Sequence, residues 1–73
     1  MTTFIKDTKN KRLINISKAS YINYVVEPDC AICIYYIDKT FPFTIKYENK
    51  YDTLAAYDQI CTGISNGNHL ICI

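Results

Sequence analysis

The chain holds one histidine, two glycines and two prolines in 73 residues, and each shortage closes off a class of explanation. So few glycines and prolines leave no room for a flexible linker or a low-complexity tract. With His69 alone, nucleophilic or acid–base chemistry needs a partner nucleophile or carboxylate at a recognisable spacing, and none is present. GxGxxG, P-loop, HExxH and GxSxG patterns are missing. Paired carboxylates are lacking as well: Glu27 and Asp29 straddle Pro28, while Asp52 and Asp58 stand six apart. A chain this short also has difficulty enclosing a pocket by itself. The expectation is a protein that is not an enzyme, with no catalytic residue, no cofactor and no metal.

Long apolar runs are equally scarce. None approaches the ~20 residues needed to cross a bilayer, and no basic start followed by an apolar stretch marks a secretory leader. A cytoplasmic location with no membrane partner is expected. Nor does any segment repeat.

What is present reads as one small domain over residues 1–73. The composition, 49% hydrophobic and 21% charged, belongs to a folded rather than a disordered chain. At this length only about 60% of the unfolded surface is buried on folding, so the core must be thin. Net charge is +1, but it is unevenly spread. Residues 1–18 carry Lys6, Lys9, Lys11, Arg12 and Lys18 against Asp7, a local +4, and the remainder is −3.

Hydrophobic rhythm supplies the fold class. Phe4-Ile5-Lys6 and Arg12-Leu13-Ile14-Asn15-Ile16 flank a polar Asx- and Lys-rich segment, which predicts a β-hairpin. Ser17-Lys18-Ala19-Ser20 interrupts the pattern. From Tyr21 to Glu27 the side chains alternate, with Ile22, Tyr24 and Val26 on one face. Pro28-Asp29 turns the chain. Cys30 to Ile37 is apolar almost throughout, as in a central strand, and Phe43, Ile45 and Tyr47 alternate with Thr44 and Lys46. Short connections favour a twisted antiparallel meander of five or six strands.

Near residue 48 the period lengthens. Leu54, Tyr57, Cys61 and Ile64 recur at three- and four-residue steps, with Ile60 widening the stripe, and this predicts a helix over about 50–65. Asn49 is the expected N-cap, with Asp52 in the first turn, and Asn66-Gly67 the expected stop. Gly63 is expected to fray the last turn. The architecture so derived is α+β: a curled antiparallel sheet covered on its apolar face by the Leu54–Ile64 stripe. His69-Leu70-Ile71-Cys72-Ile73 is too apolar to be left in water, so residues 69–73 are expected to return as a short strand against a sheet edge or a second chain. Leu70, Ile71 and Ile73 are the candidates for self-association into a homodimer.

Four cysteines raise the question of zinc. Cys30 and Cys33 have CxxC spacing, and Cys61 and Cys72 complete four potential ligands. On an extended strand, however, positions three apart point to opposite faces, and no second CxxC exists. Buried cysteine as a small hydrophobe is the plainer reading. A zinc-stabilised structural module stays open beside it.

Seven tyrosines are an excess. Tyr24 and Tyr47 fall on expected core faces, whereas Tyr21, Tyr35 and Tyr36 have more freedom to face outward. Tyrosine gives large contact area at low entropic cost, which suits a protein interface. The expected partner is therefore a protein, met by Tyr21, Tyr35 and Tyr36 with Lys9, Lys11 and Arg12 at the hairpin tip. Single-stranded nucleic acid is the alternative partner, with tyrosines stacking on bases and the Lys9–Arg12 hairpin holding phosphate. The strand rhythm is similar to that of short bacterial and phage proteins, and the Asn/Ile/Lys/Tyr-rich usage fits an AT-rich coding source. An inhibitor of a host system, encoded by a phage or mobile element, is the concrete form of the binding-protein expectation.

Overall fold

The computed structural model describes residues 2–73. Among these the elements are β1 (Phe4–Asp7), β2 (Arg12–Asn15), β3 (Ala19–Val25), β4 (Cys30–Tyr36), β5 (Phe43–Tyr47), α1 (Lys50–Ser65) and β6 (Leu70–Cys72). The α+β class, the position of the helix and the short last strand agree with the reading from sequence. The strands do not form one continuous meander. They divide into two sheets, β2-β1-β6 and β3-β4-β5.

The division falls at the polar interruption after β2. Ile16 N–H bonds to Thr3 O at 2.9 Å, Thr3 N–H to Ser17 Oγ at 2.8 Å, and Ser17 N–H to Asn15 Oδ1 at 2.9 Å. These short polar side chains satisfy the backbone locally and release the chain from the first sheet. The tail then adds to β1 in parallel, pairing Phe4 with Leu70, Ile5 with Ile71 and Lys6 with Cys72. A parallel partner needs a long crossover, and the intervening sheet and helix provide it.

Isoleucine dominates the core. Ile5, Ile14, Ile16 and Ile71 from the first sheet meet Ile32, Ile34 and Ile45 from the second, with Ala56 and Ile60 of α1 completing the cluster. A β-branched side chain suits a pleated surface, and burying each one stabilises by roughly 1.5–3 kcal/mol. Tyr36 ties the two sheets together: its ring packs on this cluster and its hydroxyl donates to Asn15 O at 2.7 Å.

The ends of α1 follow the predicted chemistry. Asn49 Oδ1 accepts from Asp52 N–H at 2.9 Å. At the other end Gly67 takes φ +71°, while Gly67 N–H bonds Ile64 O at 3.0 Å and Asn68 N–H bonds Gly63 O at 2.9 Å. This is a Schellman stop, and glycine carries its left-handed residue without a Cβ penalty.

The orientation of α1 departs from expectation. Its buried residues are Thr53, Ala56, Ile60 and Gly63. Leu54 and Ile64, predicted to face the sheet, remain 39% and 51% exposed, and Cys61 is exposed too. The helix is turned by about one residue, roughly 100° at 3.6 residues per turn. Gly63 shows why. A Cβ there would stand 2.6 Å from Ile71 Cγ1, so glycine lets α1 lie directly on β6 instead of fraying. Tyr24, expected in the core, lies at its margin and is 42% exposed.

Candidate functional site

The clearest surface feature is built by strand alternation. Ile22 and Tyr24 point to the helix side of the second sheet, so Tyr21, Asn23 and Val25 point away from it. Register carries the same face across: Tyr21 opposes Tyr35, Asn23 opposes Cys33, and Val25 opposes Ala31. Thr44 and Lys46 continue it on β5, opposite Cys33 and Ala31. Tyr21 and Tyr35 stack there with ring centroids 4.3 Å apart and planes 12° from parallel. Tyr21 is 55% exposed and Val25 40%, whereas Cys33 and Ala31 are buried beneath their larger neighbours. Desolvation, reinforced by Cys33 and Tyr21, pushes the Tyr35 hydroxyl above the usual tyrosine value. It is thus a neutral donor at any physiological pH. Among the described residues of these strands, Lys46 is the one charged side chain in this register set.

The hairpin residues lie elsewhere, at the β1–β2 turn of the other sheet. Lys9 and Lys11 are exposed, and Lys11 holds a left-handed φ of 54° that closes the turn. Arg12 is engaged internally. Its Nε donates to Asp7 Oδ2 at 2.9 Å and its guanidinium sits 4.7 Å over the Phe43 ring. Asn10 Nδ2 donates to the same oxygen at 2.8 Å. Asp7 is almost fully buried; burial pushes its carboxyl up, but the bonds from Asn10 and Arg12 outweigh that and hold it below its ordinary value. Arg12 therefore closes the hairpin and braces it against β5. Tyr36, the third tyrosine of the expected contact set, spends its hydroxyl on Asn15. Of the six expected contact residues, Tyr21 and Tyr35 share one surface, Lys9 and Lys11 share another, and Arg12 and Tyr36 are bound into the framework.

The expected self-association residues find partners within the chain. Ile71 is 4% exposed and paired with Ile5. Ile73 packs on the core, donates its N–H to Lys6 O at 3.0 Å and accepts from Thr8 N–H at 3.2 Å. Leu70 alone of the three faces outward, half exposed.

A second apolar surface runs along α1, formed by the stripe that was assigned to the core. Tyr57 leans on β3, its ring edge-on to Tyr24 at 4.9 Å and its hydroxyl donating to Ile22 O at 3.4 Å. Contact with the Cys61 thiol, then burial, pushes that hydroxyl above its ordinary value. Between this side of the helix and the Ile16–Ile22 segment lies a groove of about 380 Å³, floored by Ile22, Tyr57 and Ile60 and edged by Cys61 and Ile64. Of the helical residues that the sequence places inside, Ile60 is buried and Tyr57 packs on the core, whereas Leu54, Cys61 and Ile64 are exposed. The outward set of Asn23, Val25 and Lys46 was legible from alternation alone.

The thiols are dispersed. Cys33 is buried and Cys30 half-buried, while Cys61 and Cys72 are exposed, which corrects the expectation that the four are mostly core. Among the described residues no three His, Cys, Asp or Glu side chains gather as metal ligands. No described helix is long and apolar enough to cross a membrane. Comparison with protein-family models, curated proteins and solved structures finds no match to this chain.

Proposed function

We propose that the chain is a non-catalytic binding protein that docks a protein partner on the open face of β3-β4-β5, with Tyr21 and Tyr35 at its centre. The stacked tyrosine pair carries this reading. Two rings held against each other are a rigid, amphipathic contact whose ordering cost is met before any partner arrives. Val25 extends the apolar area, and Lys46 calls for a carboxylate on the partner beside the tyrosine contact. An inhibitor that covers a site on a host protein is the concrete form we favour, because a flat face on a small chain acts by occlusion rather than by enclosing a substrate.

Single-stranded nucleic acid is the weaker reading on two grounds. Each tyrosine gives one ring face to its neighbour, which halves the platform available to bases. Lys9 and Lys11, the phosphate-holding candidates, belong to the other sheet.

The test is affinity capture from a lysate of the source organism with wild-type protein, Tyr21→Ala/Tyr35→Ala and Lys9→Glu/Lys11→Glu, each checked for folding by circular dichroism. A protein captured by wild type and by the lysine variant, but lost with the tyrosine variant, is the expected result. Retention by the folded tyrosine variant rejects the surface. Binding of a labelled single-stranded oligonucleotide that collapses with added salt transfers the function to the alternative.

A further inference from the structure

The outer side of the first hairpin gathers positive charge that the chain leaves without a counter-charge. Strand alternation turns Ile5, Asp7 and Ile14 inward, where all three are buried. It leaves Lys6 and Leu13, opposed across β1 and β2, facing out. Thr8 and Lys11 follow at the turn, joined by the bond from Lys11 N–H to Thr8 O at 3.3 Å. These four residues, with Arg12, line a recess of about 500 Å³.

Its charges are of one sign. No carboxylate lines it, and Asp7, between Lys6 and Thr8 in the chain, is buried and held by Asn10 and Arg12. Among the described residues, the pair of Arg12 with Asp7 is the one salt bridge. Arg12 is therefore spent, with Nε on Asp7 and its guanidinium over the Phe43 ring. Lys6 and Lys11 stay exposed and unpaired. Two ammonium groups on one recess repel each other, and a single doubly charged ligand relieves both.

The backbone supplies a second observation. Lys11 holds φ 54°, a left-handed conformation that costs a residue with a Cβ and that glycine or asparagine meets more cheaply. The turn thus sets a lysine against its own backbone preference, and that lysine lines the recess. Around the charges, the aliphatic stems of the lysines and the Leu13 side chain, 62% exposed, give apolar walls. The Thr8 hydroxyl adds a neutral donor.

We propose that this recess binds a small molecule carrying a phosphate monoester on an apolar body, the phosphate between Lys6 and Lys11 and the body against Leu13. Lysine suits phosphate as a compact point charge with rotatable donors. A monoester carries about −1.5 to −2 near neutral pH and so matches two ammonium groups, where a diester leaves one unmatched. The recess lies on the first sheet and the tyrosine face on the second, so its failure leaves the proposed function standing.

Backbone amide shifts of isotope-labelled protein, titrated with phenyl phosphate at low salt, read the binding. Saturable shifts confined to the β1–β2 hairpin are expected, with a dissociation constant of about 1 mM or below. Lys6→Gln and Lys11→Asn, each with an unchanged circular dichroism spectrum, are expected to weaken it at least about tenfold. Asparagine keeps the left-handed turn, so the loss with Lys11→Asn reports the ammonium group. Lys9→Gln, on the same turn but outside the recess, is expected to leave the affinity within about twofold. Methyl phenyl phosphate, the matching diester, is expected to bind at least about fivefold more weakly. No saturable shift up to about 20 mM phenyl phosphate overturns the proposal, as does binding indifferent to both Lys6→Gln and Lys11→Asn. Tighter binding of a single-stranded oligonucleotide, or of phosphatidylglycerol vesicles, that is lost with Lys11→Asn also overturns it, because the recess then serves a macromolecular phosphodiester surface.

Discussion

Two neighbouring flanks of α1 differ in side-chain size. The flank against the sheets is Thr53, Ala56, Ile60 and Gly63; the next flank carries Leu54, Cys61 and Ile64, which stay exposed, with Tyr57 half-buried against β3 among them. The smaller set is inside because β6 passes so close that Gly63 has room for no more than a hydrogen. Large apolar residues on a helix are therefore a guide to burial only when the neighbouring element stands at ordinary distance. Here the short approach admits small residues, and the larger ones are left to form a second surface.

The difference between the two sides can be broken by substitution, and the largest effect lies inside. Ile60→Ala removes a fully buried side chain and is expected to cost about 2–5 kcal/mol. A chain of this length has a total stability of only about 4–11 kcal/mol, so urea titration is expected to find a large share of it gone and the midpoint lowered accordingly. Gly63→Ala is the sharper experiment, because on an exposed helix face the same change stabilises by about 1 kcal/mol. Against Ile71 it is expected to destabilise by about 1–3 kcal/mol instead, the overpacking outweighing the propensity. A rise in the denaturation midpoint of Gly63→Ala contradicts the close approach of α1 and β6.

A control of similar size lies away from the helix. Arg12→Ala strips the buried Asp7 carboxylate of one of its two side-chain donors and is expected to cost about 1–3 kcal/mol at neutral pH. The carboxyl of Asp7 titrates below its ordinary value of 3.8 in the folded chain. Its contribution is therefore full above the unfolded value and is lost as the pH falls through the folded one. Denaturation of wild type and Arg12→Ala from neutral pH down to acid is expected to show a gap that narrows below pH 3.8 to the part owed to the Arg12–Phe43 contact, whereas the Ile60→Ala gap keeps its full size. On the outward side of α1 the smallest effects are expected. Leu54→Ser and Ile64→Ser, each about half covered, should cost monomer stability only about 1 kcal/mol each, read by urea titration at low protein concentration. A loss as large as that of Ile60→Ala would return the stripe to the core.

Much of this fold was legible before any coordinates. The hairpin before residue 16, the apolar central strand, the change of period near residue 48, the Asn49 cap and the Gly67 stop are all written in neighbouring residues, where backbone chemistry is local. The contact surface was legible in part. Alternation released Tyr21 and Tyr35 from the core, but no local pattern reveals that Arg12 is claimed by Asp7 and Phe43, or that the Tyr36 hydroxyl reaches Asn15, twenty-one positions away in the chain.

What the amino-acid sequence determined by itself is which segments are strands and helix, and their ends to within about two residues (β3 starts at Ala19, inside the expected interruption, rather than at Tyr21), because propensity, alternation and capping act within a few residues. Only the tertiary structure decided that the strands part into two sheets, that the tail runs parallel to β1, and which side of α1 is buried. Those choices rest on how closely distant segments approach. On a helix apolar over half its circumference, it is the fit of Gly63 against Ile71 that selects the face.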